Sequence, residues 1–186
     1  YKTYPTASHS DAAPLVNFRV PGHVAPVSIR RRGQVARGDG EGLAGHARAA
    51  LADAALAACQ NYDDGDIETL CLTPFEVTAP NLFKADAVVI GTTENIGYMA
   101  GATKDMFDRC YNDWIDRTEA KPVALYIRAG LDGTATKLAL TNICSGLKWR
   151  LVAEPLILRG KWDDRFISEV ADLSLGLAAG LDIGVF

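Results

Sequence analysis

The stretch Thr92-Thr93-Glu94-Asn95-Ile96-Gly97-Tyr98 gathers hydroxyl, carboxylate, amide and phenol groups around a glycine, directly after the apolar run Ala87-Val88-Val89-Ile90. A short, uninterrupted apolar run reads as a strand buried on both faces. Ligands of an open parallel sheet sit outside the carboxyl ends of its strands, so polar residues at such an end are placed to bind. A second segment of this kind, Ala129-Gly130-Leu131-Asp132-Gly133, follows the apolar Pro122-Val123-Ala124-Leu125-Tyr126-Ile127. Its glycines leave bare backbone for close approach, and Asp132 is placed either to cap the next helix, the commoner role, or to orient a ligand hydroxyl. Neither segment carries a Ser/His/Asp or Cys/His arrangement. The chemistry indicated is ligand binding and orientation, without a protein nucleophile.

The other reactive residue types point to structural roles. Cys59, Cys71, Cys110 and Cys144 are widely spaced and form no CxxC pair, which indicates buried free thiols in a reducing compartment. His9, His23 and His46 show no metal-binding spacing. The acidic pairs Asp63-Asp64 and Asp163-Asp164 fall at a loop and a helix start, where turn formation and pairing with the helix dipole account for them. Trp114, Trp149 and Trp162 read as packing or interface aromatics, although Trp162, just beyond a strand end, is also placed to meet a ligand.

The elements that must position these segments alternate along the chain. Residues 1–22 carry Pro5, Pro14 and Pro21 with little periodicity and read as an extended N-terminal arm; residues 23–186 read as a single domain. Val27 and Ile29 suggest a first strand within 24–32, a poor one because Arg30, Arg31 and Arg32 must stay at its solvent end. An Ala-rich helix is expected over 41–59, a short strand over 67–72, the buried strand leading into Thr92, a helix over 102–111 with Met106, Phe107 and Cys110 facing inward, and a buried strand over 122–127. A helix over 134–147, an edge strand over 151–158 containing Pro155, and a last helix over 163–179 complete the chain. Such alternation predicts an α/β doubly wound, five-stranded parallel sheet with helices on both faces.

The sequence ADAVVIGTTENIGYMAGATKDMFDR, beginning at Ala85, resembles the second flavin-binding loop and following helix of flavodoxin-like FMN proteins, in particular the NAD(P)H-dependent FMN reductase and quinone reductase branch. The resemblance covers residues 67–186 well and the front of the chain poorly. It implies a flavodoxin-like sheet of order 2-1-3-4-5 and an FMN site built from three loops, at the carboxyl ends of strands one, three and four. In the second loop, Thr92 and Thr93 lead into the backbone N–H groups of Glu94, Asn95, Ile96 and Gly97, which would meet the acceptor edge of the flavin pyrimidine while Tyr98 packs beside the ring. The third loop would be Ala129, Gly130, Leu131, Asp132 and Gly133. In the family the first loop is a Thr-Gly-x-Thr turn around the phosphate; here it aligns with Arg37-Gly38-Asp39-Gly40, which keeps Gly38 but puts Arg37 and Gly40 where the hydroxyls belong. Arg37 and the free N–H groups near Gly40 can still hold a dianion, opposed by Asp39 and Glu41. A segment with no phosphate site at all carries equal weight.

The resemblance implies an FMN-binding oxidoreductase passing hydride from NAD(P)H to a quinone, flavin or other small acceptor, and a homodimer or homotetramer as in that branch. A flavodoxin-fold binding or scaffold protein that has lost its phosphate loop and no longer holds flavin is the alternative. An electron-carrier flavodoxin is disfavoured, since its surface should be more acidic than a formal net charge of -4. That charge, with a pI of about 5.3, argues against nucleic-acid partners. The absence of a long apolar run or signal peptide reads as a cytoplasmic protein that does not enter a membrane. If Arg37 grips the phosphate, Arg37→Ala weakens FMN affinity in a fluorescence titration; unchanged affinity removes Arg37 from that role.

Overall fold

The computed structural model describes residues 15–19, 43–62 and 67–186, with side chains from residue 49 onward. The strands at its centre are β3, Ala87–Asn95, and β5, Pro122–Ala129, which pair in parallel from Val88↔Val123 to Thr93↔Arg128. Both are buried along nearly their whole length. Their side chains divide with the two-residue period of a strand. Val88, Ile90, Val123, Leu125, Ile127 and Ala129 enter one apolar cluster, and Ala87, Val89, Ala124 and Tyr126 enter the other.

Helices cover both faces, as the alternation requires. The helices α3, Gly101–Trp114, and α4, Thr134–Gly146, supply Met106, Phe107, Cys110, Trp114, Leu140 and Cys144 to the first cluster. The helices α1, Leu43–Gln60, and α5, Arg165–Asp182, supply Leu51, Ala55, Cys59, Val170 and Leu177 to the second. The tryptophans Trp114 and Trp149 pack into the first cluster with ring centroids 5.6 Å apart. Their indole N–H groups are satisfied by Ala79 O at 3.3 Å and Thr118 Oγ1 at 2.8 Å. A short helix that the sequence pattern did not suggest, α2 at Ala79–Lys84, starts with Pro80 in its first turn, where a missing N–H is harmless.

The strand order is β2, Glu68–Leu72, then β1, Leu15–Arg19, then β3, β5 and β6, Arg150–Leu151. A further strand, β7 at Leu156–Arg159, also pairs with β5. Together β6 and β7 make one edge position, interrupted around Pro155, which has no N–H for the ladder. Counting that edge once, the order is the expected flavodoxin-like 2-1-3-4-5. One strand differs from expectation in place and direction. Leu15–Arg19 falls in the segment read as an extended arm, yet it lies inside the sheet, antiparallel to both β2 and β3. Its Leu-Val-Asn-Phe sequence supplies apolar residues that a position between two strands demands, whereas the arginines of 30–32 would bury unpaired charge there. The strand expected within 24–32 lies outside the described residues.

On β5, Tyr126 is buried and its ring lies across Gly91 of β3, where any Cβ would collide with it. Its hydroxyl has no hydrogen-bond partner among the described residues, and burial raises its pKa. Elsewhere a single arginine ties the rim of the sheet to α3. Arg109 donates from Nη2 to Pro74 O at 2.7 Å, from Nη1 to Val77 O at 2.9 Å and from Nε to Asp105 Oδ2 at 2.8 Å. It thereby fixes the loop that follows β2. Arg109→Ala should lower the unfolding free energy by about 2 kcal/mol in urea titrations, since charged donors to two carbonyls are lost; a change below about 0.5 kcal/mol would show that the strap is dispensable.

Candidate functional site

Because β3 and β5 are parallel neighbours, the segments following them emerge on the same rim. The first is not an open loop. β3 continues to Asn95 and turns back as β4, Tyr98–Met99, in the register Glu94↔Met99 and Asn95↔Tyr98. Ile96 and Gly97 are the two turn residues, with φ of 52° and 70°. Positive φ at both central positions suits a two-residue hairpin, because its twist matches that of the strands. Glycine takes this conformation freely, whereas a β-branched residue is strained in it. The Ile96 side chain is nonetheless fully exposed.

Beneath the hairpin the apolar core ends in buried threonines. Thr92 Oγ1 lies 2.9 Å from Thr103 Oγ1 and accepts the Ala100 N–H at 3.3 Å, fastening the start of α3 to β3. Thr93 Oγ1 donates to Asn95 Oδ1 at 2.9 Å. Both threonines are buried, so they brace the hairpin while Asn95, Ile96 and Tyr98 are exposed above them. Tyr98 keeps 41% of its surface accessible.

The second segment turns from β5 into α4. Asp132 Oδ1 accepts the Thr134 N–H at 2.8 Å, an Asx-type turn one residue before the helix cap at Gly133, and that bond holds its carboxyl below the usual range. Gly133 has φ 71°, and a Cβ there would come within 2.6 Å of Ile157 Cγ2, so the fold itself requires this glycine. A Cβ on Gly130 would meet nothing within 4 Å, which leaves the backbone there open to approach. Leu131 is exposed beside it, and Ala129 is buried.

A carboxylate joins the two segments. Glu94 Oε2 accepts the Leu131 N–H at 2.8 Å and Glu94 Oε1 accepts the Gly133 N–H at 3.2 Å. The strand period puts Glu94 on the same side of β3 as Val88, Ile90 and Thr92, the side covered by α3 and α4. The amide donors before α4, reinforced by the helix dipole, therefore meet a negative partner.

Beyond β7 the rim is closed by Arg128, whose Nη1 donates to Ala129 O at 2.6 Å and Leu158 O at 3.0 Å and whose Nη2 donates to Gly160 O at 2.5 Å. The guanidinium lies 5.3 Å from the centroid of the Phe166 ring, which Trp162 meets edge-on at 5.9 Å. Trp162 also donates to Asp164 Oδ1 at 2.9 Å. The cysteines offer no thiolate, because burial raises all four, Cys59 and Cys144 to about 12 and Cys71 to about 11.

No protein-family model matches the sequence, and no curated protein does. Solved structures do match in shape. Oxidised flavodoxin 1 from Bacillus cereus superposes with a TM-score of 0.59 at 14% identity, over 74% of this chain and 92% of that one. The flavodoxin, WrbA-like protein from Agrobacterium tumefaciens gives 0.56 at 14% identity, over 73% and 88%. A flavodoxin from the domain Archaea gives 0.55 at 13% identity, over 72% and 90%. The chain has a flavodoxin-like fold.

Within this flavodoxin-like frame the hairpin at 94–99 and the turn at 129–134 stand where the second and third loops are expected, side by side on one rim. The residues expected in the first loop, Arg37, Gly38 and Gly40, lie outside the described residues. The antiparallel β1 ends beside the amino end of β3, so its carboxyl end opens on the opposite rim from those of β3 and β5. Two side-chain ties at this rim lie beyond what the sequence pattern suggests. The resemblance uses Glu94 through its backbone N–H, whereas counting in twos from Val88 aims its side chain toward α4. Arg128, a lone arginine ending an apolar strand, is itself a signal that carbonyls there need a donor. Relief of the strained turn gives a direct test of the hairpin: Ile96→Asn should raise stability by about 1 kcal/mol in urea unfolding, and a loss would place Ile96 in a contact that the structure does not contain.

Proposed function

We propose that this chain is an FMN-binding oxidoreductase that passes hydride from NAD(P)H to a quinone, a flavin or another small acceptor. The observation that carries the reading is the meeting of the hairpin and the 129–134 turn on one rim, joined through the Glu94 carboxylate to the Leu131 and Gly133 amides. These amides suit the acceptor edge of a flavin pyrimidine. Gly130 leaves open backbone at the same place, and exposed Tyr98 and Leu131 offer apolar surface for a flat ring. The resemblance of the sequence from Ala85 through Arg109 to the FMN reductase branch supports the same ligand.

Bound FMN would supply the hydride-accepting chemistry, and the protein's part is to hold and orient it. The hairpin, stiffened by Thr92 and Thr103, would hold one side of the ring, and the turn into α4, set by Asp132 and Gly133, the other. A neutral ring with a carbonyl edge would find N–H donors there once the Glu94 carboxylate releases them, and no titrating side chain is required for hydride transfer.

The rival reading is a flavodoxin-fold binding or scaffold protein without flavin. It draws support from the reversed β1, which carries the chain away from the rim where a phosphate-holding turn would sit. Absorbance of the purified protein with and without added FMN decides between them. The oxidoreductase reading expects a flavin spectrum, micromolar binding and consumption of NADH or NADPH with a quinone acceptor. Colourless protein that fails to take up FMN at micromolar concentration overturns it in favour of the scaffold.

A further inference from the structure

We infer that Glu94 is an affinity-determining residue of this site, a resident competitor whose carboxylate occupies the donors that a ring's acceptor edge would use. The inference rests on the flavin reading and adds to it the group that binding must displace. Three features carry it. The last inward-facing position of β3 is carboxylate-bearing, and its two oxygens are spent on two amides of the facing segment, Leu131 N–H at 2.8 Å and Gly133 N–H at 3.2 Å. Those amides precede the first turn of a thirteen-residue helix, where positive potential favours an anion. The backbone at Gly130, between β5 and these amides, is open to approach.

An N–H group directed at a carboxylate oxygen cannot at the same time serve a carbonyl of a ligand in full. Charge-assisted hydrogen bonds of this kind are roughly twice as strong as neutral ones. A neutral acceptor edge therefore enters only as Glu94 swings toward solvent, which its half-exposed position at the rim permits. The free energy of that displacement is subtracted from ligand affinity, as for any site whose competent form must first be made available. Substituting the carboxylate removes the competitor. Glutamine keeps one neutral acceptor of the same length, so its effect falls between those of glutamate and alanine.

The test is a fluorescence-quenching titration of wild type, Glu94→Ala and Glu94→Gln with FMN and, separately, with riboflavin, which lacks the phosphate and so reports on the ring slot alone. The expected result is affinity in the order alanine, glutamine, wild type, with Glu94→Ala about tenfold tighter or more for both flavins. Measured in parallel, the urea midpoint should fall for Glu94→Ala, because the tie between hairpin and turn is lost, so that affinity and stability move in opposite directions. If the wild type binds flavin and the variants bind equally or more weakly, Glu94 braces the site and the inference is overturned while the flavin reading stands. If no protein of the three binds either flavin, the flavin reading itself falls. Glu94→Gln, which preserves length and shape, keeps the comparison decisive should the alanine variant fold poorly.

Discussion

The constraint from which the rest of the structure follows is that β3 and β5 are buried on both faces. A strand in that position can offer neither face to solvent or ligand. Its backbone groups must be spent on neighbouring strands, and its side chains on helices packed above and below. Only the strand ends remain for chemistry. The apolar runs Ala87-Val88-Val89-Ile90 and Val123-Ala124-Leu125-Tyr126-Ile127 thus determine where a site can be, long before any polar residue determines what it binds.

How the core stops is as informative as how it packs. On β3 the apolar residues give way to Thr92 and Thr93, whose hydroxyls find internal partners, then to Glu94, whose carboxylate crosses to the neighbouring turn. Polarity increases stepwise toward the rim: Thr92 and Glu94 bond to other elements, and Thr93 bonds to Asn95 of its own strand. The hairpin is consequently held from below by hydroxyls and from the side by a carboxylate, and only its tip, Ile96-Gly97, extends beyond this support. On the opposite side of the site, Arg128 performs the corresponding task for three carbonyl oxygens with a single planar group.

Legibility in the sequence followed the strength of periodic burial. The helices α1, α3, α4 and α5, and the strands β2, β3 and β5, have apolar patterns that local physics dictates, and Met106, Phe107 and Cys110 face the core as their spacing requires. Pro155 marked the edge strand correctly because a missing donor is a local property. β1 was not legible: five residues following a proline-containing stretch of sequence acquire their identity only through partners far along the chain, Leu72 and Ile90 for Leu15. The hairpin was missed for a different reason. Ile96-Gly97 lacks the asparagine or aspartate that advertises a turn with positive φ, so a tight reversal looked like a loop. Glu94 illustrates a third limit, since its direction follows from strand period but its partners follow from where α4 begins.

The placement of β1 has a consequence for how the sheet is assembled. It separates β2 from β3, so neither can pair with the other, and each depends on the same five residues for its bond to the sheet on that side. All of β1's contacts with the sheet close long loops, whose entropy must be met before any pairing rewards it. The β3–β5 pairing uses none of its residues, whereas among the described strands β2 pairs with β1 alone. Whatever loosens Leu15–Arg19 uncovers two strand edges at once, and an uncovered edge is a template for pairing with another chain. The seam through which β2 joins the sheet therefore lies one strand inside its border.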